Sequence, residues 1–357
     1  MNLMKLSTIA PFTLCIFACG GEEPANNNTT AQRPIQCRSA DYVAFDASNQ
    51  TNQVLRVQAY ADMVAIMKAA ESADPFDPAL AAMNFAEARR LYEETASLRA
   101  KVQGRTDDHF EDRPVVGVQI DEAIMAAFDR GANAPDGLEA TIARQTVDKQ
   151  LIHFFYLSVY HEMVLGERAK WDEAFAYAGM LSDNAESTRK GLAAVATSRD
   201  ATNNTTLADN IFNGLIDGAC ALTEALQTEG VETIDYTTVP QLKAAVDQVD
   251  LDLQRVLAFS AGHEAFEMAE LQLQLANNPT DEVRDSMWIK LSELDPYFEP
   301  IERVMTQSGG ESMTRATTIR QMIDAAWASS GGDWMQTFDA QAVIQALEAE
   351  FGIDIKG

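Results

Sequence analysis

The chain predicts an all-α protein, a large helical bundle built either as one body or as two packed half-bundles. Three observations carry this. Apolar residues recur at helical rather than alternating spacing in nearly every segment beyond residue 50. Helix start signals stand where the periodic runs begin, with Thr280 following Pro279 and preceding two acids, and Asp339 opening the last run. The one β-like stretch, "VETIDYTTV" at 231–239, is too isolated to make a sheet.

The first segments read in order. "MNLMK" is a short n-region with one charge, Lys5, and "LSTIAPFTLCIFA" (6–18) is an apolar run of 13 residues. A membrane span needs about 20 apolar residues, so this length suits a signal peptide. Ile16-Phe17-Ala18-Cys19 resembles a bacterial lipobox, in which a small residue precedes a cysteine that is cleaved and lipidated. Residues 1–18 are therefore expected to be removed, and Cys19 to carry the lipid. Several acyl chains would hold the protein to a membrane where one would be marginal. Gly20 rather than an aspartate after the cysteine points to the outer membrane as the address. Residues 19–38 continue as lipidated cysteine and polar tether, reaching roughly 25 Å as a flexible coil. Residues 39–357 form the helical domain.

Among its helices, "VLRVQAYADMVAIMKAA" puts Val54, Val57, Ala61, Val64 and Met67 on one face. "NFAEARRLYEETASLRAKV" reads as one helix with Phe85, Leu91, Thr95 and Leu98 together. Further helices are expected over 206–226, 239–275, 280–294, 314–327 and 339–351. The segment from Leu151 to Leu165 is apolar all round, as a central buried helix would be.

The net charge is −27 at pH 7, and loss of residues 1–18 removes Lys5 and no acid, taking it to −28. Such a surface repels phosphate backbones, which excludes nucleic acid as a partner. A metal ion, a cationic ligand or a basic envelope protein is electrostatically easier. With Cys15 discarded and Cys19 lipidated, Cys37 and Cys220 remain, in a compartment that permits disulfides. They form either a bridge, which closing so long a loop would make worth roughly 5 kcal/mol, or two separate thiols.

Polar groups on apolar faces are the candidates for chemistry. On the central helix, His153, Tyr156 and Tyr160 lie along one stripe. His161 and Glu162 point elsewhere, about 100° apart, so at most one of them joins a given site. On the 239–275 helix, Leu242, Val246, Val249, Leu253, Val256 and Leu257 make the apolar face. Ser260, Glu264 and Glu267 fall inside it, with His263 on its edge. Unpaired buried carboxylates cost several kcal/mol each, so partners are required. Histidine with nearby glutamates offers mixed N/O ligands for zinc or iron. The two helices are expected to be neighbours bringing His161, Glu162, His263 and Glu267 to a shared pocket. The alternative is a set of structural polar networks. "TDDHFED" around His109 reads as a solvated charge run. No HExxH, P-loop, GxGxxG, GxSxG, EF-hand loop or CxxC occurs.

After the central helix, "WDEAFAYAG" (171–179) resembles an element of helical bacterial lipoproteins related to imelysin-like proteins. "LRVQAYADMVAIMKAA" and "LYEETASL" resemble that branch's N-terminal helices, in the same order. The resemblance spans residues 50–330, with Trp171, Asp172 and Glu173 as its distinctive match. It implies a helical bundle at the cell surface or in the periplasm, in a group linked to iron acquisition and sometimes classed as metallopeptidases. The group's GxHxxE hallmark is departed from by both "AGHEAFE" and "LIHFFY". Together these readings predict a lipid-anchored envelope binding protein for iron, zinc, haem or another metal ligand. The alternatives are an interaction lipoprotein without a small ligand, and a metallopeptidase.

Overall fold

The computed structural model describes residues 50–110, 114–180, 189–329 and 332–356, all within one compact unit. The signal segment, Cys19, the tether and Cys37 lie outside the described residues. Cys220, the other end of the expected bridge, is buried in its helix.

Thirteen α-helices follow one another among the described residues, and no strand does, so the fold is an all-α bundle. They are α1 (Thr51–Glu71), α2 (Pro78–Glu94), α3 (Leu98–Gln103), α4 (Gly117–Ala132), α5 (Gly137–Val164), α6 (Arg168–Ala178) and α7 (Gly191–Asn203). Then come α8 (Leu207–Glu229), α9 (Pro240–Asn277), α10 (Asp281–Ser308), α11 (Gly310–Ala328), α12 (Trp334–Thr337) and α13 (Ala340–Phe351). Two long helices organise the packing. α5 touches α1, α4 and α6, while α9 touches α8 and α13, and α10 lies against both α5 and α9. None of the described helices is long and apolar enough to cross a membrane.

The expected caps form. Thr280 accepts from the Val283 amide at 3.4 Å, and Asp339 from Ala342 at 2.9 Å. Asp77 and Asp136 do the same for α2 and α5. Each satisfies an amide that the helix itself leaves unpaired. All six apolar residues predicted for the 239–275 face are buried in α9. The β-like stretch makes only a bridge from Thr233 to Glu167 and a 3-10 turn at Tyr236–Thr238.

Three element-level expectations fail for identifiable reasons. The face of α1 keeps Val57 and Met67 buried as expected but is rotated, burying Arg56, Met63 and Ala70 rather than Ala61 and Val64. On the rotated face Arg56 points inward and donates to the Tyr177 hydroxyl at 2.6 Å. The helix expected over 84–102 breaks into α2 and α3. Ala96 and Ser97 adopt left-handed backbone at φ 48° and 57°, and Arg56 Nε holds the Ala96 carbonyl at 2.9 Å. α10 runs on past Leu294, through Pro296 and Pro300, to Ser308. Each proline costs about 3 kcal/mol in a helix interior, but Tyr297 and Phe298 between them and Ile301 and Met305 beyond them are buried, and that burial offsets the cost.

Candidate functional site

The charge run around His109 is folded in. After α3, residues 105–110 lie against α5, pinned by Asp107 N to Pro114 O at 3.0 Å and Gly117 N to Arg105 O at 3.0 Å. Asp107 is only 1% exposed, and burial lifts its carboxyl above the usual range. The solvated reading of "TDDHFED" is therefore corrected for residues 106–110, Glu111 and Asp112 lying outside the described residues: this part is a polar strap in which Asp108 and His109 meet polar groups of α5. An apolar count could not reveal this, because each partner is a distant polar residue.

His109 stacks on Tyr160, ring centres 4.0 Å apart, and its Nε2 lies 2.9 Å from the Tyr156 hydroxyl. That hydroxyl donates to Asp250 of α9 at 3.0 Å, so the His109 nitrogen supplies a proton to the tyrosine oxygen. Burial opposes charge on His109, yet Asp250, Asp107 and Asp108 outweigh it and raise its pKa. Tyr156 is held far above its ordinary value by burial and then by Asp250. Next along α5, His161 Nδ1 meets Asp108, and Glu162 accepts from Arg105 at 3.3 Å with Lys170 at 3.7 Å. His161 and Glu162 thus bond different partners, yet both line the cleft between α3, α5 and α6, against the expectation that at most one of them joins a given site.

A cleft of about 500 Å³ opens between α4, α5, α10 and α11. Gln119, Gln150, Glu299, Arg303 and Arg320 line it. Behind Glu299 sits His153, fully buried, with its Nδ1 3.7 Å from the carboxylate, long for a hydrogen bond. Gln150 donates to Glu299 at 3.0 Å. Although burial disfavours its charge, the His153 ring, Gln150 and Arg303 hold Glu299 down at about 2. Two buried polar atoms on lining residues make no hydrogen bond, Gln150 Oε1 and Arg303 Nε, and neither does either nitrogen of His153 behind Glu299.

His263, Glu264 and Glu267 form a separate cluster with α10. Lys290 bonds Glu264 and Glu293 at 3.0 Å each and pairs with Glu267, and His263 lies 3.3 Å from Glu267. Burial, then the Glu293 carboxylate, raise Glu264 to about 8, while His263 and Lys290 hold Glu267 at about 2. The expected shared pocket with His161 and Glu162 does not form. α5 and α9 are antiparallel: Tyr156 meets Asp250, whereas Lys149 and Glu264 both act on Tyr297. At 1.5 Å per residue, His161 lies about 7 Å and His263 about 20 Å from that Tyr156–Asp250 rung, in opposite directions. Among the described residues no group of three His, Cys, Asp or Glu side chains is placed to hold a metal ion.

The "WDEAF" element is a packing device. Trp171 is fully buried and donates from Nε1 to the Leu215 carbonyl of α8 at 2.7 Å. Asp172 pairs with Arg168, and Glu173 with Lys170 at 2.7 Å. Sequence reasoning missed Arg105, Asp107, Asp108, Gln150, Asp250, Glu299 and Arg303. The clustering of acids and a histidine between two helices was the only local signal for any of them. No protein-family model, curated protein or solved structure matches this chain.

Proposed function

We propose that this chain is a lipid-anchored binding protein of the bacterial envelope, tethered through Cys19, and that its ligand is a small polar molecule held in the cleft beside His153. The observation that supports the reading is the concentration of unpaired buried polar atoms there. Roughly nine in ten buried polar groups in folded proteins have a partner, and each one lacking it costs about 1–3 kcal/mol. Two such atoms on residues that line one cleft, Gln150 Oε1 and Arg303 Nε, with an unpartnered His153 behind them, call for a ligand that both donates and accepts. It would donate to Gln150 Oε1 and accept from Arg303 Nε.

The metal part of the expectation draws little support. His153 and Glu299 supply two donor groups, where zinc sites use three or four protein ligands. The imelysin-like resemblance supports the address and the binding role, but its hallmark spacing is missing from the residues that build this cleft.

The test is native mass spectrometry of full-length protein purified without an affinity tag, with Fe(II), Zn(II) and haem added as separate probes. The reading expects a co-purifying small organic mass that disappears in Gln150→Leu/Arg303→Met at unchanged helical content. An identical bound mass in both proteins, or saturable uptake of a probe metal that the double variant retains, would move the ligand elsewhere.

A further inference from the structure

A second cleft, of about 350 Å³, lies between α3, the end of α5 and the start of α6. It shares no lining residue with the first. Arg105, 5% exposed, is a buried guanidinium in its wall, and a second, Arg56 at 4%, shares the Tyr177 ring with it, each 5.9 Å from the ring centre. One buried carboxylate, Glu162, answers them, and it takes a single 3.3 Å bond from Arg105. Arg56 spends its donors on the Tyr177 hydroxyl and the Ala96 carbonyl, both uncharged. Arg105 Nε is buried and has no partner. Charged side chains are almost never buried unless matched by an opposite charge, and here two positive groups face one negative.

The mouth of the cleft adds to the imbalance. Lys101 and Lys170 line it, and Lys170 is shared between Glu173 at 2.7 Å and Glu162 at 3.7 Å. In a chain of net charge −27 this is a local reversal of sign. Low-dielectric walls strengthen such a field inside a cleft relative to open water. We propose that this cleft binds a small oxyanion, a carboxylate or phosphate group, with Arg105 as the buried anchor and Lys101 and Lys170 at the entrance. Arginine's planar fork matches the paired oxygens of either group. Glu162 competes with the ligand for Arg105, which keeps the buried charge partly satisfied when the cleft is empty.

The experiment is calorimetric titration of the full-length protein with inorganic phosphate and, separately, with acetate, against chloride at matched ionic strength. Saturable binding above the chloride control is expected for one of the two; phosphate alone assigns a phosphate-bearing ligand, acetate alone a carboxylate. Lys101→Glu, an exposed change that leaves the fold untouched, should weaken binding by at least about tenfold. Glu162→Gln should tighten it, an outcome that a purely structural role for Glu162 does not predict. Arg303→Gln, in the other cleft, should leave it unchanged. Absence of saturation by either anion, or wild-type affinity in both Lys101→Glu and Glu162→Gln, would overturn the proposal.

Discussion

Gly218 in α8 has no room for a side chain. A β-carbon there would sit 2.1 Å from the Trp171 ring, which is itself fully buried and fixed by its bond to Leu215. The contact lets α6 lie close against α8, and its rigidity follows from the dense packing of protein interiors. Gly218→Ala is therefore expected to destabilise by about 1–3 kcal/mol through overpacking, read as a lowered urea midpoint at unchanged slope. A Trp171→Phe/Gly218→Ala pair should recover part of the loss, because the smaller ring frees the space. If Gly218→Ala alone melts like the parent, the close approach does not govern this interface. At the same scale, His153 shows how a residue can be legible in sequence and still be misplaced in role. Its position on a buried stripe was readable, whereas the carboxylate beside it comes from Glu299, 146 positions away along the chain.

At the scale of elements, the α9–α10 contact carries a titrating cluster. Glu264 is raised from 4.5 to about 8 by burial and then by Glu293, against the pull of Lys290. A carboxyl raised in the folded state favours folding fully below its unfolded pKa and loses that advantage as pH climbs through the folded value. Stability from this group should thus fall between about pH 4.5 and 8. Glu299 behaves in the opposite sense. Held at about 2, it contributes fully above its unfolded pKa and loses that contribution as pH drops from about 4.5 toward 2. Denaturant midpoints of Glu264→Gln measured across this range should show the decline above pH 4.5 flattened, with the acid limb kept. Parallel curves for parent and variant would mean Glu264 is not the titrating group; His263, Glu267, Lys290, Glu293 and Tyr297 are the other ionisable groups facing this contact. Helix ends are more local. Asp339→Ala removes one cap from α13 and is expected to cost about 1 kcal/mol, visible as early fraying of its amides in hydrogen exchange.

At the scale of the molecule, the acidic composition and the N-terminal segment belong to one proposal, an acidic helical domain held at a membrane by lipid. Cys19→Ala should abolish acylation, shifting the protein from the detergent phase to the aqueous phase in a two-phase partition. A variant that still partitions with detergent at unchanged acyl mass would remove the anchor. The described helical body is organised around α5 and α9, with α10 against both, and Phe110 at one end of the strap lines one cleft while Arg105 at the other lines the second.

What the sequence by itself determined is local. Helical spacing, the caps at Thr280 and Asp339, and the buried face of α9 all depend on residues three or four apart, and these needed no knowledge of neighbours. The break at Thr95–Ser97, the rotated face of α1 and the buried strap were decided only in the tertiary structure. In each case a polar side chain found a partner far along the chain: Arg56 on Tyr177, Arg105 on Glu162, His109 on Tyr156 and Asp250. Hydrophobic periodicity says which face avoids water, but the cost of burying a charge is met only by a specific opposite group. That group's position is set by how the helices cross, which is why His161 and Glu162 ended in one cluster and His263 and Glu267 in another.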